Sequence, residues 1–416
     1  MGATAILMLA SCGVLEDLGV VPAPAIAITP SAATLSPGQT QMFTIEGAGE
    51  TSLIWEAPWG TLESHGDSAT YTAPHGLAGT VTLSARDESA PHRTATAHIA
   101  IEDDFSDELV MHANGRLARL KWDEFDYRQG PGYQYVNYPA PSDVSHVLYR
   151  HFDDAFDFIF LVFNADVNYI ICRYHAVSND VLGIGQEPFD NTSAFGSDGR
   201  LRGVLALGPS DLGPTHGTLA NAWGNHIVDA GNRRGWGFSS ANGQMGGFDR
   251  STLEDLGEGI YRASATSPSG FQRASFGTFL NGGNSLPYSP IELYVMGLIP
   301  PEEVPPLLVA QEPEWVDAFT GTFRASGFVE YSIDDLISMH GERSPTYLSS
   351  PKAFRVLTVV VTYEPLTEAG WRHFDEQVRW LSYPGEASPR GNNFWRATGG
   401  RATLKMDDLF SALSGD

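Results

Sequence analysis

The chain has 416 residues, of which 42% are hydrophobic, so it is long enough to form two or three domains with apolar cores. Asp and Glu number 50 against 25 Lys and Arg, which gives a net charge of −25. Nucleic acids and anionic membrane surfaces repel such a chain, so both are excluded as its main partner. The only cysteines, Cys12 and Cys172, do not indicate a disulfide framework.

The N-terminal segment, residues 1–12, ends in "AILMLASC", a short apolar run closed by small residues and Cys12. It resembles the lipobox of bacterial lipoprotein signals, in which the cysteine is lipidated. The resemblance implies a cell-envelope protein, lipid-anchored at the surface or secreted, that meets the membrane only through its anchor. The leading "MGATA" lacks the Lys or Arg of a usual signal, so a buried N-terminal strand is the alternative. Residues 13–24 are short, contain Pro and predict a linker.

Residues 25–103 predict an all-β sandwich, because short alternating runs such as "TVTLSA" (80–85) and "TAHIAI" (96–101) are separated by turn signals. The phrases "LSPGQTQMFTIEG", "LIWEAPWGTLE" and "ATYTAP" resemble bacterial Ig-like domains of secreted and surface proteins. The resemblance implies that Trp55 is the core tryptophan. The following stretch, residues 102–104, is acidic and polar, which predicts an exposed boundary between two domains.

Residues 104–416 predict a mixed α/β or α+β domain. The run "FDFIFLVFN" (156–164) is almost wholly apolar, which is typical of a strand buried on both faces. The clearest helix covers residues 366–381, with Thr367 as its N-cap and one apolar stripe of helical spacing. Further strands are predicted at 169–177, 200–208 and 354–364, and a short helix at 291–298.

Four phrases in this second part resemble a group of bacterial secreted proteins whose main domain is a zincin-type metallopeptidase, over most of residues 150–410. They are "FDNTSAFGSDGRLRGV" (189–204), "GFSSANGQMGGFD" (237–249), "YSPIELYVMGLIPPEEVP" (288–305) and "FWRATGGRATL" (394–404). In that group a helix after the "RLRGV" strand carries His-Glu-x-x-His. Histidines at i and i+4 bind one Zn²⁺, and the glutamate is the base for the metal-bound water.

The resemblance places this motif at residues 217–221, directly before Trp223-Gly224-Asn225. Gly217, Thr218 and Asn221 stand where the first histidine, the glutamate and the second histidine belong. A further histidine expected before "GFSS" is also missing, since Gly235-Trp236-Gly237 stands there. We therefore assign no catalytic residue and no metal ligand from this degenerate motif.

The segment retains the pattern of an ordinary core helix, with Leu219, Trp223 and Ile227 at i, i+4 and i+8. Its opposite side is small and neutral, and could line a ligand-binding cleft. His216 and His226 cannot share an ion, since ten residues of continuous helix separate them by about 15 Å. His226 and Asp229 form an i, i+3 pair, which is either a weak metal pair or a surface hydrogen bond. The candidate binding residues are Asn221, Asn225, His226 and Asp229.

Glu292, in "SPIELYVMGL", is a candidate remnant of the zinc site, because the third ligand of glutamate-type zincins comes from a downstream helix. Alternatively it is a buried or capping carboxylate paired with an arginine. We predict that the Asp190 and Asp249 carboxylates stabilise loops. The alternative is that they bind a structural calcium ion. Cys172 and His175 lie three residues apart on a predicted strand, so they face opposite sides and do not form a nucleophilic pair.

Three functions follow from these observations. The first is a surface protein whose peptidase-like domain has lost its metal and binds an extracellular peptide, glycan or partner protein, with no cofactor. The second is an active zinc metallopeptidase with non-standard ligands. The third is an adhesive or structural protein in which the Ig-like domain is the functional part.

Overall fold

The computed structural model describes residues 25–49, 52–123, 125–130, 133–165, 172–209, 219–223, 227, 236–267, 275–278, 281, 286–385 and 391–414. The chain divides into two compact units. Unit 1 comprises Met1–Leu35, Gln39–Ala73 and Val81–Ala100, and unit 2 comprises Ser36–Gly38, Pro74–Thr80 and Ile101–Asp416. Strand exceeds helix, at 36% against 18%, which confirms the coarse prediction of a β-rich multidomain protein.

Unit 1 consists of β-strands, two of which, β7 and β8, extend into residues assigned to unit 2. One sheet has the antiparallel order β1-β3-β6-β5, while β4 and β8 both pair with β7 and β2 follows β8. The strands are β1 (Ala27–Thr29), β2 (Ala32–Leu35), β3 (Thr40–Glu46), β4 (Leu53–Glu56), β5 (Thr61–His65), β6 (Ser68–Thr72), β7 (Leu77–Asp87) and β8 (Thr94–Ile101).

The core of unit 1 is formed by alternate residues of these strands, as the period-two pattern predicts. Phe43 on β3 and Ile99 on β8 are fully buried. Trp55 is also buried, which confirms its predicted core position, and its indole Nε1 donates a hydrogen bond to the Gly66 carbonyl at 3.3 Å.

Unit 2 is built on a mixed sheet that begins with β9 (Leu109–His112) and β10 (Ala118–Lys121). The strands that follow are β11 (Asp126–Gly130), β12 (Tyr133–Asn137), β13 (Phe158–Phe163), β14 (Cys172–Ala176), β15 (Ser178–Asn179), β16 (Phe189–Asp190), β17 (Gly203–Leu207), β18 (Glu254–Gly257), β19 (Ile260–Arg262), β20 (Leu307–Gln311), β21 (Glu314–Asp317), β22 (Thr322–Arg324), β23 (Gly327–Tyr331), β24 (Ala353–Thr362) and β25 (Thr403–Lys405).

The order of the central strands is β14-β17-β13-β24-β10-β9. β17, β13, β24 and β10 are parallel, and β14 and β9 are antiparallel to their neighbours. On its other side β9 pairs with Leu77 and Ala78 of unit 2. β15 and β16 form a two-stranded antiparallel ribbon in the segment between β14 and β17.

In the part of unit 2 that the structure describes, the α-helices with both ends described are α1 (Pro141–Leu148), α2 (Pro290–Val295), α3 (Ile333–His340), α4 (Glu368–Ser382) and α5 (Phe394–Ala397). Short 3₁₀ helices cover Thr192–Phe195, Asn221–Trp223, Arg250–Thr252, Pro301–Glu303 and Leu409–Ala412. Among the described helices, none has both the length and the apolar composition needed to cross a bilayer.

The strongest predictions from the sequence are confirmed. All six residues of β13 are buried, as expected for a strand covered on both faces. In α4, the Thr367 hydroxyl caps the first turn by accepting the Gly370 amide at 3.1 Å. The four residues of its predicted apolar stripe are all buried, namely Trp371, Phe374, Val378 and Leu381.

The predicted boundary at residues 102–104 lies close to the point where the chain passes from unit 1 to unit 2, between Ala100 and Ile101. Glu102 is exposed, but the Asp103 side chain is buried in an ion pair inside unit 2. Its carboxylate accepts bonds from Nη2 and Nε of Arg119, and the two side chains are 1% and 0% exposed. Arg119 also donates to the carbonyls of Asp107 and Asp104, at 2.8 and 2.9 Å. Asp103 Oδ2 accepts the Leu366 amide at 2.8 Å, so the ion pair connects the residues that precede β9 to the segment before α4.

We expect Asp103→Ala to lower the free energy of unfolding by about 3–5 kcal/mol, because it leaves the Arg119 charge buried without its partner. Chemical denaturation followed by fluorescence measures this change. Arg262→Met is the control, since Arg262 forms an exposed pair with Glu254 at 3.4 Å and is expected to contribute less than about 1 kcal/mol.

The double variant Asp103→Ala/Arg119→Met should lose less stability than the sum of the two single variants, since it leaves no buried charge unpaired. A cost for Asp103→Ala no larger than that for Arg262→Met would contradict the role assigned to this pair.

Candidate functional site

The segment at the position of the zincin motif is described only at residues 219–223 and 227. Leu219, Trp223 and Ile227 are 0%, 2% and 1% exposed and belong to the main core, which confirms their predicted burial. The predicted continuous helix is not confirmed, because residues 221–223 form a 3₁₀ turn and Ile227 lies in a bend. Asn221 is half-buried and begins the 3₁₀ turn that ends at Trp223. Other predicted residues lie outside the described ones: Cys12, Gly217, Thr218, Asn225, His226 and Asp229.

Trp223 fixes this segment against the parallel part of the sheet of unit 2. Its ring lies 5.8 Å from Phe158 on β13 and 5.3 Å from Phe354 on β24, in edge-to-face contacts. Such contacts add to the free energy gained by burying the rings themselves. The packing therefore accounts for the apolar stripe without any metal.

Glu292 lies at the start of α2, where Ser289 is the N-cap and Glu292 the third helical residue, the spacing of a capping box. The residue is 2% exposed. Oε2 accepts hydrogen bonds from the Ser289 amide at 2.7 Å and the Ser289 hydroxyl at 3.1 Å. The carboxylate is thus held by its own helix on one side.

Donors from a distant loop complete the shell around Glu292. Oε1 accepts the Met245 amide at 2.6 Å and the Trp236 indole at 3.2 Å, while Oε2 also accepts the Gln244 amide at 3.1 Å. Together with Ser289 this makes five donated bonds, which occupy the lone pairs of both oxygens. Glu292 is therefore a capping carboxylate, as one interpretation of the sequence predicts, but backbone, indole and hydroxyl groups replace the expected arginine.

The glycine-rich loop 243–247 allows this close approach. A Cβ on Gly243 would lie 2.1 Å from Glu292 Oε2, so only glycine fits there. Asn281 holds the loop from the other side, because its Nδ2 donates to the Gly243 and Gly247 carbonyls at 2.9 and 2.8 Å. The "GQMGG" phrase thus forms a cradle for the carboxylate, which we call the Glu292 cradle.

The electrostatics of the cradle reflect the burial of Glu292. Burial raises the pKa of Glu292 above its ordinary value, while the amides of Met245, Ser289 and Gln244 act in the opposite direction. Burial, together with the Glu292 charge, raises the pKa of the neighbouring Tyr288 phenol as well. A metal could bind Glu292 only by displacing donors that already satisfy it, so the structure does not offer this carboxylate as a zinc ligand.

The other singled-out residues have local structural roles. Asp190 Oδ1 accepts the Thr192 amide and hydroxyl at 2.9 and 2.7 Å. Asp249 Oδ1 accepts the Ser251 amide and hydroxyl, both at 2.8 Å. Both therefore stabilise loops, as predicted. His175 is half-buried on β14, and burial lowers its pKa.

One group with metal-ligand chemistry was missed from the sequence. His75, Asp104 and Asp107 place ligand atoms within 4.8 Å of one another in unit 2. The carboxylates already accept backbone amides, Asp104 from Ser106 and Asp107 from the distant Gly76, both at 2.9 Å. About thirty residues separate His75 from the two aspartates, so no spacing pattern indicates the group.

We expect Glu292→Gln to destabilise the protein by about 3 kcal/mol, because either orientation of the amide places its NH₂ against donors already aimed at that atom. Thermal and chemical unfolding measure the change. Glu302→Gln is the matched control on an exposed carboxylate and should be neutral. Equal stability of the two variants would show that the five donors do not depend on the carboxylate.

Gly243→Ala should destabilise the protein by about 2 kcal/mol or more, since the added methyl overlaps Glu292 and Ser289. Gly370→Ala is the control, and we expect it to change the stability in the opposite direction. Gly370 lies in α4 with no atom closer than 3.6 Å to an added Cβ, so alanine should stabilise the helix by about 0.5–1 kcal/mol. Melting temperatures that change in the same direction for both variants would contradict the steric role of Gly243.

No known protein-family model matches this chain, and no curated protein matches it significantly. The resemblance to zincin-type metallopeptidases therefore depends on the four phrases of residues 189–404 alone. What unit 2 can do chemically must follow from its donor atoms and their geometry.

Proposed function

We propose that the chain is a surface-anchored or secreted bacterial protein that binds an extracellular peptide, glycan or protein without hydrolysing it. In this proposal residues 25–103 form an Ig-like spacer and residues 104–416 a metallopeptidase-like domain that has lost zinc. Cys12, outside the described residues, would carry the lipid anchor.

The proposal rests on the side chains at residues 217–221, the position of the lost His-Glu-x-x-His motif. Gly217, Thr218 and Asn221 supply no imidazole and no carboxylate. Structural and catalytic Zn²⁺ sites need His, Cys or carboxylate ligands, and hydrolysis also needs a base beside the bound water. Glu292, the carboxylate that the resemblance would place at such a site, is already satisfied by five donors. The residues at this position therefore do not fit zinc.

The sheet of unit 2 supports a binding function for the same region. Trp223 packs on β13 and β24, close to the parallel strands, and β14 is the outermost described strand on its side of the sheet. An edge strand offers backbone groups to an extended peptide, which can bind by adding a strand. In unit 1, alternate burial and the buried Trp55 support the Ig-like interpretation.

We expect the purified full chain to contain substoichiometric zinc by elemental analysis and to leave unstructured protein substrates such as casein uncut. The triple variant Gly217→His/Thr218→Glu/Asn221→His should gain zinc affinity, measured by titration with a chromophoric chelator as competitor. A triple alanine variant at the same positions is the control and should bind no more zinc than the parent chain.

One zinc per parent chain, together with hydrolysis that a chelator abolishes, would contradict the loss of the metal site and support an active peptidase with other ligands. Because two restored histidines lack a third protein ligand while Glu292 stays capped, we expect the engineered site to bind zinc more weakly than a three-ligand site.

A further inference from the structure

A cavity of about 380 Å³ with both charged and apolar lining groups lies beside the β15–β16 ribbon of unit 2, next to the turn that leads into β17. Its lining includes Asp180, Phe189, Asp190, Arg200 and Arg202. This cavity lies at the Gly203 end of β17, whereas the segment 217–229 follows the Leu207 end. An inference about this cavity therefore concerns a site other than the segment 217–229, and it deepens the glycan alternative of the proposed function, on which it rests.

Two uncharged polar residues of the cavity wall, Ser178 and Asn179, form hydrogen bonds within the fold. The Ser178 hydroxyl donates to the Leu201 carbonyl at 2.8 Å. The side chain of the buried Asn179 accepts a hydrogen bond from the Val181 backbone N–H at 3.1 Å through Oδ1. Its Nδ2 donates to the Glu187 carbonyl at 3.3 Å. These two polar residues therefore serve the fold, and the groups that can meet a ligand are the arginines, the aspartates and Phe189.

Each charged group keeps atoms that a ligand could use. Arg202 Nη1 donates to Asp180 Oδ1 at 2.9 Å, and the Asp180 side chain is 70% exposed. Arg200 Nη2 lies 3.5 Å from Asp157 Oδ2, and the Arg200 side chain is 49% exposed. Asp190 uses Oδ1 for the two bonds from Thr192, and its Oδ2 accepts no bond among the described residues.

The balance of charge decides what class of ligand fits. Two guanidinium groups and two carboxylates line the same small space, so a net anion would meet the aspartates and a net cation the arginines. A hydroxyl group can both donate to a carboxylate and accept from a guanidinium. The half-buried Phe189 adds an apolar surface on which the C–H face of a ring can rest.

We propose that this cavity binds a short neutral saccharide. Its hydroxyls donate to Asp190 and Asp180 and accept from Arg200 and Arg202, while one ring face lies against Phe189. The volume of about 380 Å³ is at the small end of ligand sites, which limits the bound part to about one or two sugar rings.

The test is a titration of the full chain with three neutral trisaccharides, built from glucose, mannose and N-acetylglucosamine, followed by calorimetry. Trigalacturonate and trilysine are the anionic and cationic probes. We expect at least one neutral trisaccharide to bind and both charged probes to bind more weakly. Failure of all three neutral probes, or tighter binding of a charged one, would overturn the proposal.

Two variants locate the binding in the cavity. Asp190→Asn keeps the Oδ1 acceptor for Thr192 while removing the second carboxylate oxygen, and Arg200→Gln removes a guanidinium that is half exposed. Each should weaken saccharide binding about tenfold, the loss of one hydrogen bond to a charged group. Arg262→Gln and Phe319→Ala alter an exposed arginine and a 91% exposed phenylalanine elsewhere and should leave the affinity unchanged.

Circular dichroism of each variant checks that the fold is intact. A saccharide affinity that survives both Asp190→Asn and Arg200→Gln would place the binding elsewhere and overturn the assignment. Loss of binding in Phe319→Ala, with the cavity residues intact, would do the same.

Discussion

A carboxylate removed from water must be surrounded by donors, and Glu292 imposes this requirement on the least regular part of unit 2. Residues 236–249 contain no long strand or helix, so their amides cannot be satisfied by a ladder. The carboxylate provides acceptors for Trp236, Gln244 and Met245, and it caps α2 through Ser289. One buried charge thus joins a glycine-rich loop to a helix, and the position of each depends on the other.

Sequence patterns predicted the elements whose cause is local. β13 is a continuous apolar run, β24 is rich in Val and Thr, and α4 combines an N-cap with a stripe of helical period, so neighbouring residues suffice to identify them. The capping box at Ser289 and Glu292 was also readable, because its partners are three residues apart. The other three donors to Glu292 come from residues 47 to 56 positions away, which no local pattern reveals.

The burial of the Asp103 charge could not be predicted from the sequence for the same reason. Asp103 lies in an acidic stretch that is typical of an exposed junction, and only the distant Arg119 and Leu366 make its burial favourable. The strands from β18 to β23 lack strong periodicity and were not predicted. They are held by aromatic contacts such as Phe238 with Trp315, at 4.6 Å, whose partners are far apart in the chain.

The division into units does not follow the order of the chain, and this has a consequence for how the protein can be dissected. Unit 2 includes Pro74–Thr80, and β9 pairs with Leu77 and Ala78 from that segment. A fragment starting at residue 104 would lack these residues and Asp103, which would expose one edge of β9 and leave Arg119 buried without its counter-ion. Any shortened form of unit 2 must therefore begin upstream of Pro74, or obtain the missing strand from a second polypeptide by fragment complementation.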